Sequence, residues 1–555
     1  MAFSVTRPAV VLVTAAAVSL PLGLVIYQSV LTGPFFLPKA TFSLGAFEFV
    51  LRDPEFWLSL RNSLLIAFAM LAIALPIGAL MAFLVTRTDM PGRRALEPLI
   101  LVPILVSPIV LALGYVIAAG PVGIYSSAAH SALGFVPWNI YSPISIAVIG
   151  GLSHVPYAYL YTSTALRGLG SDVEEAARVA GARPWRVAID VNLPMIRPAL
   201  FFSAVLLFFS GVEMFGLALV LGNQSNFSVL AIYLYKLTSR LGVPAYHLMA
   251  AVAVMIVFMT FPLVMLQRYY LSKTERFASM RGKATRPRPV ALGKWRWPAF
   301  AAIGCWLFVT AFVPISGISL RAFINYGAGT TLIGSLTVEH FHRIFTEPAL
   351  LRSVVNSVVM GVVGGLLAVA AYACVALATH RRADGWTRLI DYLVLLPRAV
   401  PGLLAGLAFL WAFIFFKPLS PLRPTLISVW IAYTIVWLSY GTRLISGTLF
   451  QVGKELEEAG RSLGASRGRT TREITIPLIR NGLLATWLLV FLMFEREYAA
   501  GVYLLTAGTE MIGPMLVTLS ETGDLDAVAA LSFVNLLLIG AGVGLAFRYG
   551  VRLND

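Results

Sequence analysis

The chain has 555 residues, of which 58% are hydrophobic and only 12% charged, with a mean hydropathy of +0.83. A soluble protein carries about 25% charged residues, so too few polar groups remain here to cover a water-exposed surface, and a helical multi-span membrane protein is expected. The net charge of +16 sits in short segments between apolar runs; no basic, aromatic-interleaved surface lies outside them, so a nucleic-acid partner is not expected, and the runs are too continuous for a transmembrane barrel.

A bilayer core takes about 20 apolar residues per helix. Twelve such runs follow along the chain, near 8–31, 62–86, 97–119, 143–166, 197–221, 246–270, 298–320, 353–379, 389–415, 424–447, 482–506 and 526–548. The first is too long for a signal-peptide core and lacks a convincing small-residue cleavage site, so it reads as a retained helix. Pro76, Pro103, Pro108, Pro397 and Pro401 fall inside runs, where neighbouring helices can repair the freed backbone groups. Cys305 and Cys374 also lie inside runs and read as small packing residues rather than a disulfide or zinc site.

Orientation follows from Lys and Arg. With the N-terminus inside, the inner segments hold 30 of the 42 basic residues, so both termini are expected on the cytoplasmic side. The basic segment 271–297, LSKTERFASMRGKATRPRPVALGKWRW, reads as a cytoplasmic linker lying against anionic headgroups. It divides the chain into a first six-span repeat, 1–270, and a second, 298–555.

The halves repeat each other. Asn62-Ser63 corresponds to Asn356-Ser357, and Pro103 and Pro108 to Pro397 and Pro401. The best match is a polar loop between the fourth and fifth spans of each half. It reads EEAARVAGARPWRVAIDVNLPMIRP over 174–198 and EEAGRSLGASRGRTTREITIPLIRN over 457–481, with 10 of 25 positions identical at a constant offset of 283. Both copies fall on the same side, so the repeats are parallel rather than inverted. In each, strong helix formers lead to a glycine, Gly181 or Gly464, suited to positive φ at a helix end. A second short segment follows, which Pro194 and Pro477 are expected to end before the next span. An exposed acidic start with small alanines suits insertion into a partner's groove.

The spacing E-A-A-x3-G-x9-I-x-L-P resembles the signature of permease subunits of binding-protein-dependent ABC importers. It is carried by Glu175, Ala176, Ala177, Gly181, Val191, Leu193 and Pro194, and again by Glu458, Ala459, Gly460, Gly464, Ile474, Ile476 and Pro477; Val191, Gly460 and Ile476 depart from it. The stretches EMFGLALVLGNQSNFSVLAIYLYKLTSRLGVPAYHLMAAVAV and FEREYAAGVYLLTAGTEMIGPMLVTL look most like the fused, two-repeat permeases of the ferric-iron type. The resemblance implies an all-α bundle of about twelve transmembrane helices, two parallel six-helix repeats related by a pseudo-twofold axis along the membrane normal, in a bacterial inner membrane. Each loop would be a coupling helix docking on one of two ATPase subunits. One fused chain would serve per transporter, with an external solute-binding protein delivering ferric iron. Thiamine, aminoethylphosphonate, polyamines and sulfate are the other cargoes carried by relatives. The chain has no G-x4-G-K-[ST] phosphate loop, so ATP would be used by the partner and this chain would bind no cofactor.

Acidic residues within spans are costly and suggest function. Glu213 in SGVEMFGLALVL and Glu497 in FEREYAAGVYLL occupy corresponding places, and Glu495 and Arg496 adjoin the second. They are expected either to face a cargo path or to pair with Arg or backbone between helices; no metal-ligand set is identified. A twelve-span secondary transporter fits the composition but not the duplicated loop. A membrane enzyme would need clustered catalytic groups, whereas His130, His154, His247, His340, His342 and His380 are scattered. The outer loops near 33–58 and 321–351 are candidates for docking the binding protein.

Overall fold

The computed structural model describes residues 7–35, 39–239, 245–278, 289–325, 336–382 and 384–548. Among them the secondary structure is helical apart from isolated bridges, and nine helices are long and apolar enough to cross a membrane. A tenth predicted run holds the pair Gly385–Arg398 and Gly402–Phe415, bent by 108°, and the remaining two hold the shorter apolar helices Tyr246–Pro262 and Leu426–Val436. All twelve predicted runs thus contain an apolar helix. Those near 97–119 and 389–415 are broken at their prolines. Pro108 opens the helix Pro108–Ala119 after an extended Ser107, and Pro401 precedes Gly402–Phe415. A proline has no N–H to lose at a helix start, so it opens a helix well and continues one badly.

The repeat is visible in its hydrogen bonds. Asn62 Nδ2 donates to the Ser228 carbonyl at 3.0 Å, and Ser63 Oγ accepts from the Leu230 N–H at 2.8 Å. In the second half Asn356 Nδ2 donates to the Glu510 carbonyl at 2.8 Å, and Ser357 Oγ accepts from the Ile512 N–H at 3.0 Å. The same Asn-Ser pair holds the start of an equivalent helix in both halves, where an unpaired backbone group would have no water to turn to.

The chain packs as two compact units, and these are not its two sequential halves. One joins Leu51–Arg240 to Phe258–Thr337; the other joins Met1–Val50 and Leu241–Val257 to Val338–Arg552. The first span of each half therefore packs with most of the other half. In the first unit the helix Val313–Ala322 lies along Pro108–Ala119 through small residues: a Cβ on Gly114 would stand 2.7 Å from Pro314 Cβ, and one on Gly317 2.6 Å from Ala118 Cβ. Small residues allow this close approach, which drives helix association where lipid removes the hydrophobic incentive. Tyr115 Oη donates to the Val309 carbonyl at 2.8 Å and Trp306 Nε1 to the Leu152 carbonyl at 3.1 Å.

In the other unit Arg7–Ser29 packs on Gly385–Leu395 and Gly402–Phe415. Arg7 pairs with Asp384 and donates to Thr387 Oγ1 at 2.6 Å. The segment expected as a linker is helical at its start, because Tyr246–Ala278 continues through it; residues 279–288 lie outside the described residues. The outer loops contain the short helices Gly45–Arg52 and Glu339–Thr346, while 36–38 and 326–335 lie outside the described residues.

Candidate functional site

The two polar loops fold alike. Ser171–Val179 and Lys454–Ser462 are helices with acidic residues in the first turn, where they complement the helix dipole. Gly181 (φ +84°) and Gly464 (φ +87°) end them in the left-handed conformation. The Gly181 N–H donates to the Arg178 carbonyl at 3.0 Å and the Ala182 N–H to Ala177 at 3.0 Å; Gly464 donates to Arg461 at 2.9 Å and Ala465 to Gly460 at 3.1 Å. This paired pattern is a Schellman cap in both copies. Glu175, Ala176, Glu458 and Ala459 are solvent-exposed, as are Val179 and Leu463 near the two tips.

Pro194 and Pro477 do not end the second segment. Pro184–Arg186 runs through a wide turn, Val187–Asn192, straight into Leu193–Val212, and Arg467–Thr470 runs through Thr471–Thr475 into Ile476–Arg496. The Leu193 N–H reaches back five residues to the Ala188 carbonyl, and the Ile476 N–H to Thr471. A π-type turn relieves the clash and the missing hydrogen bond that a proline imposes inside a helix. Each loop is thereby joined to the fifth span of its half by unbroken helix.

The side chains that fix the loops are not those of the signature. Glu174 and Glu457, one residue before Glu175 and Glu458, are buried at 4% exposure each. Arg87, the last residue of Pro54–Arg87, lies with Nη1 3.3 Å from Glu174 Oε1, while its Nη2 donates to the carbonyls of Leu166 and, at 3.3 Å, Leu169. Arg381 places Nε 3.5 Å from Glu457 Oε2 and donates from Nη2 to the Val452 carbonyl at 2.7 Å. Glu457 Oε1 also lies 3.2 Å from His380 Nε2 and accepts from Thr475 Oγ1 at 3.1 Å. Arg178 and Arg461 complete the two sites from one helical turn away. Sequence reasoning passed over these residues, although a signal exists: Arg87 and Arg381 share the 294-residue offset of Asn62 and Asn356.

Glu213 and Glu497 stand at matched places, the carboxyl ends of Leu193–Val212 and Ile476–Arg496. The helices stop there, short of the predicted 221 and 506. Glu497 Oε1 accepts from the Ala500 N–H at 3.1 Å, and its own carbonyl accepts from Tyr433 Oη at 3.2 Å. Glu495 is buried inside the second repeat, and neither carboxylate oxygen has a hydrogen-bond partner among the described residues. Its counterpart one repeat earlier is Gly211, which packs on Ala67; Glu495 instead lies against Gly361, the counterpart of Ala67.

Residues 74–276 and 350–551 each match the family described as binding-protein-dependent transport system inner membrane component. The chain belongs to this family. It carries the family's domain twice, with one loop in each copy, and is a multi-pass inner-membrane component rather than the ATPase of its transporter. The ferric transport system permease protein FbpB of Actinobacillus pleuropneumoniae is 24% identical over 447 residues, 79% of this chain and 63% of that one. Putative ferric transport system permease protein FbpB 1 of Haemophilus influenzae is 24% identical over 74% of this chain and 64% of its own. In the same organism, Fe(3+)-transport system permease protein FbpB 2 is 24% identical over 87% of this chain and 88% of its own. The chain therefore spans a little under two thirds of the first two relatives and most of the third. A bacterial ABC transporter chain involved in import of the acidic polysaccharide alginate is similar over 46% of this chain and 96% of its own, at 17% identity and a TM-score of 0.36, too distant a likeness to argue from.

Proposed function

We propose that this chain forms the translocation pathway of an ATP-driven importer, as one fused subunit serving two copies of an ABC ATPase and one external solute-binding protein. The observation that carries this reading is the duplicated loop: two Schellman-capped helices, each presenting an exposed Glu-Ala edge and each followed, after its glycine turn, by a second segment that runs unbroken into the fifth span. A docking element needs an exposed contact face, and a transmitting one needs a stiff connection to the pathway. Closure of the ATPase dimer would move both loops, and the helices behind them would carry that movement to Glu213 and Glu497, which we assign to the cargo path. The loops and both termini face the cytoplasm, in keeping with the placement of basic residues. ATP is consumed by the partner, and this chain holds no cofactor.

Ferric iron is the proposed cargo. Relatives named for ferric transport match 74 to 87% of the chain, whereas those named for molybdenum or sulfate match 30 or 31%. The test is a pull-down of the tagged chain from native membranes, paired with uptake of radioactive ferric iron by the same cells. An ATPase recovered at two copies per chain and lost on Glu175→Arg with Glu458→Arg supports the docking assignment. Iron uptake unchanged by deletion of the gene rejects the cargo.

A further inference from the structure

We propose that Arg87 and Arg381 are positioning residues: each clamps a coupling helix to the ends of the second and fourth spans of its repeat, so that these move as one body. The proposal rests on the reading of the loops as ATPase-docking elements and adds the groups that hold them. Three observations support it. Arg87 joins three elements at once: it sits at the end of the second span, donates to carbonyls at the end of the fourth, and meets a carboxylate in the first turn of the coupling helix. Arg381 does the same, and its carbonyl acceptor, Val452, stands 283 residues after Leu169, the offset that relates the two loops. Finally, Arg381 adopts a left-handed φ of +53°, which disfavours any side chain bearing a Cβ and is held only where surrounding contacts over-determine it.

The chemistry suits rigidity. The Arg87 and Glu174 side chains are only 2% and 5% exposed, and removing one partner of a buried pair strands the other charge away from water. Arg87 holds the Leu166 and Leu169 carbonyls by hydrogen bonds and Glu174 by charge, its Nη1 making no hydrogen bond among the described residues, so neutralising the carboxylate removes what draws the helix to it. The exposed Glu175 and Glu458 are thus left for the partner, while their buried neighbours keep each helix in place. Adjacent helical residues point about 100° apart, so one Glu-Glu pair serves both needs.

The experiment is pulsed electron-spin distance measurement on the full chain in nanodiscs, purified with whatever ATPase accompanies it. Nitroxide labels are placed at Arg94 and Ala180, both exposed, and spectra are taken without nucleotide and with ADP and vanadate. The wild-type chain is expected to give one narrow distance that nucleotide leaves unchanged. Glu174→Gln is expected to broaden it at least twofold and make it respond to nucleotide, while ATPase recovery stays at the wild-type level; Glu174→Asp restores the narrow distance. A Glu174→Gln distribution that superimposes on wild type in both conditions overturns the clamp. Should Glu174→Gln fail to accumulate, Glu457→Gln with labels at Arg388 and Leu463 decides by the same criteria. If no ATPase accompanies even the wild-type chain, the docking reading fails, and the nucleotide-free widths still decide the clamp.

Discussion

Ile474 fills the space that a methyl group on Gly460 would need: its Cδ1 lies 2.6 Å from where that Cβ would stand. The matched residues of the other loop are Ala177 and Val191, a larger residue on the helix and a smaller one opposite. Each loop therefore departs from the signature at one side of the same contact, Gly460 in the second copy and Val191 in the first. Gly costs about 1 kcal/mol against Ala in a helix, and overpacking costs about 1–3 kcal/mol. Gly460→Ala alone should leave the thermal midpoint of the purified protein nearly unchanged, because the two effects offset. Gly460→Ala with Ile474→Val should raise it above wild type. A double variant no more stable than the single one would show that the pair is not coupled.

The exchanged first spans predict a cross-link. In a background of Cys305→Ser and Cys374→Ser, Tyr125→Cys with Ser316→Cys should be joined by a short bifunctional thiol reagent, since Tyr125 Oη and Ser316 Oγ lie 2.8 Å apart between Ile124–Leu133 and Val313–Ala322. Cleaving the chain between the repeats would then leave the two fragments joined on a non-reducing gel. Fragments that separate would place the seventh span elsewhere.

Asp384 gives a pH signature. Hydrogen bonds from the Arg7 guanidinium, then from the Thr387 backbone, hold its carboxyl well below the usual carboxylate range. A depressed folded-state value means stability that is present above the unfolded value, about 3.9, and is lost as pH falls through the folded one. Asp384→Asn keeps an N-cap acceptor but loses the charge. Its thermal midpoint should lie below wild type at pH 7, and the gap should close only at pH below about 3.9. A gap that already vanishes at pH 6 would mean the ion pair contributes nothing.

At the crossing of the second and fifth spans the two repeats tolerate different changes. A Cβ on Gly211 would lie 2.5 Å from the Ala67 Cα, which is backbone and cannot yield. Gly211→Ala should therefore cost about 1–3 kcal/mol, read as a lower thermal midpoint. In the second repeat the buried Glu495 stands over Gly361, and Glu495→Gln keeps its shape without a charge to desolvate. That variant should accumulate and unfold like wild type, whereas Gly361→Leu should not accumulate. Lower yield of Glu495→Gln would argue for a role of the carboxylate itself.

The loops were legible in the sequence because their determinants are local. A glycine that must take positive φ and a fixed spacing survive duplication, so Gly181 and Gly464 stand where the pattern put them. The prolines misled for an equally physical reason. Pro194 and Pro477 read as stops because a proline forfeits a hydrogen bond, and the wide turns that absorb that loss leave no mark in composition. Which glutamate of each pair is buried could not be read locally, since Arg87 and Arg381 lie far upstream. Packing of spans against one another was invisible for another cause: lipid and neighbouring helix are equally apolar, so hydropathy finds Arg7–Ser29 without saying which half it joins.

That exchange makes the two repeats mutually dependent for folding. A chain severed in the 279–288 region yields two polypeptides, neither holding a full packed unit. Each lacks the helix that the other contributes, and each retains a first span whose small-residue or charged face has lost its mate. During synthesis the first repeat must wait for the seventh span before its unit closes, while Arg7–Ser29 waits longer still for Asp384. Fusing the repeats into one chain supplies both missing parts together at a fixed one-to-one ratio, leaving no unmatched half for quality control to remove.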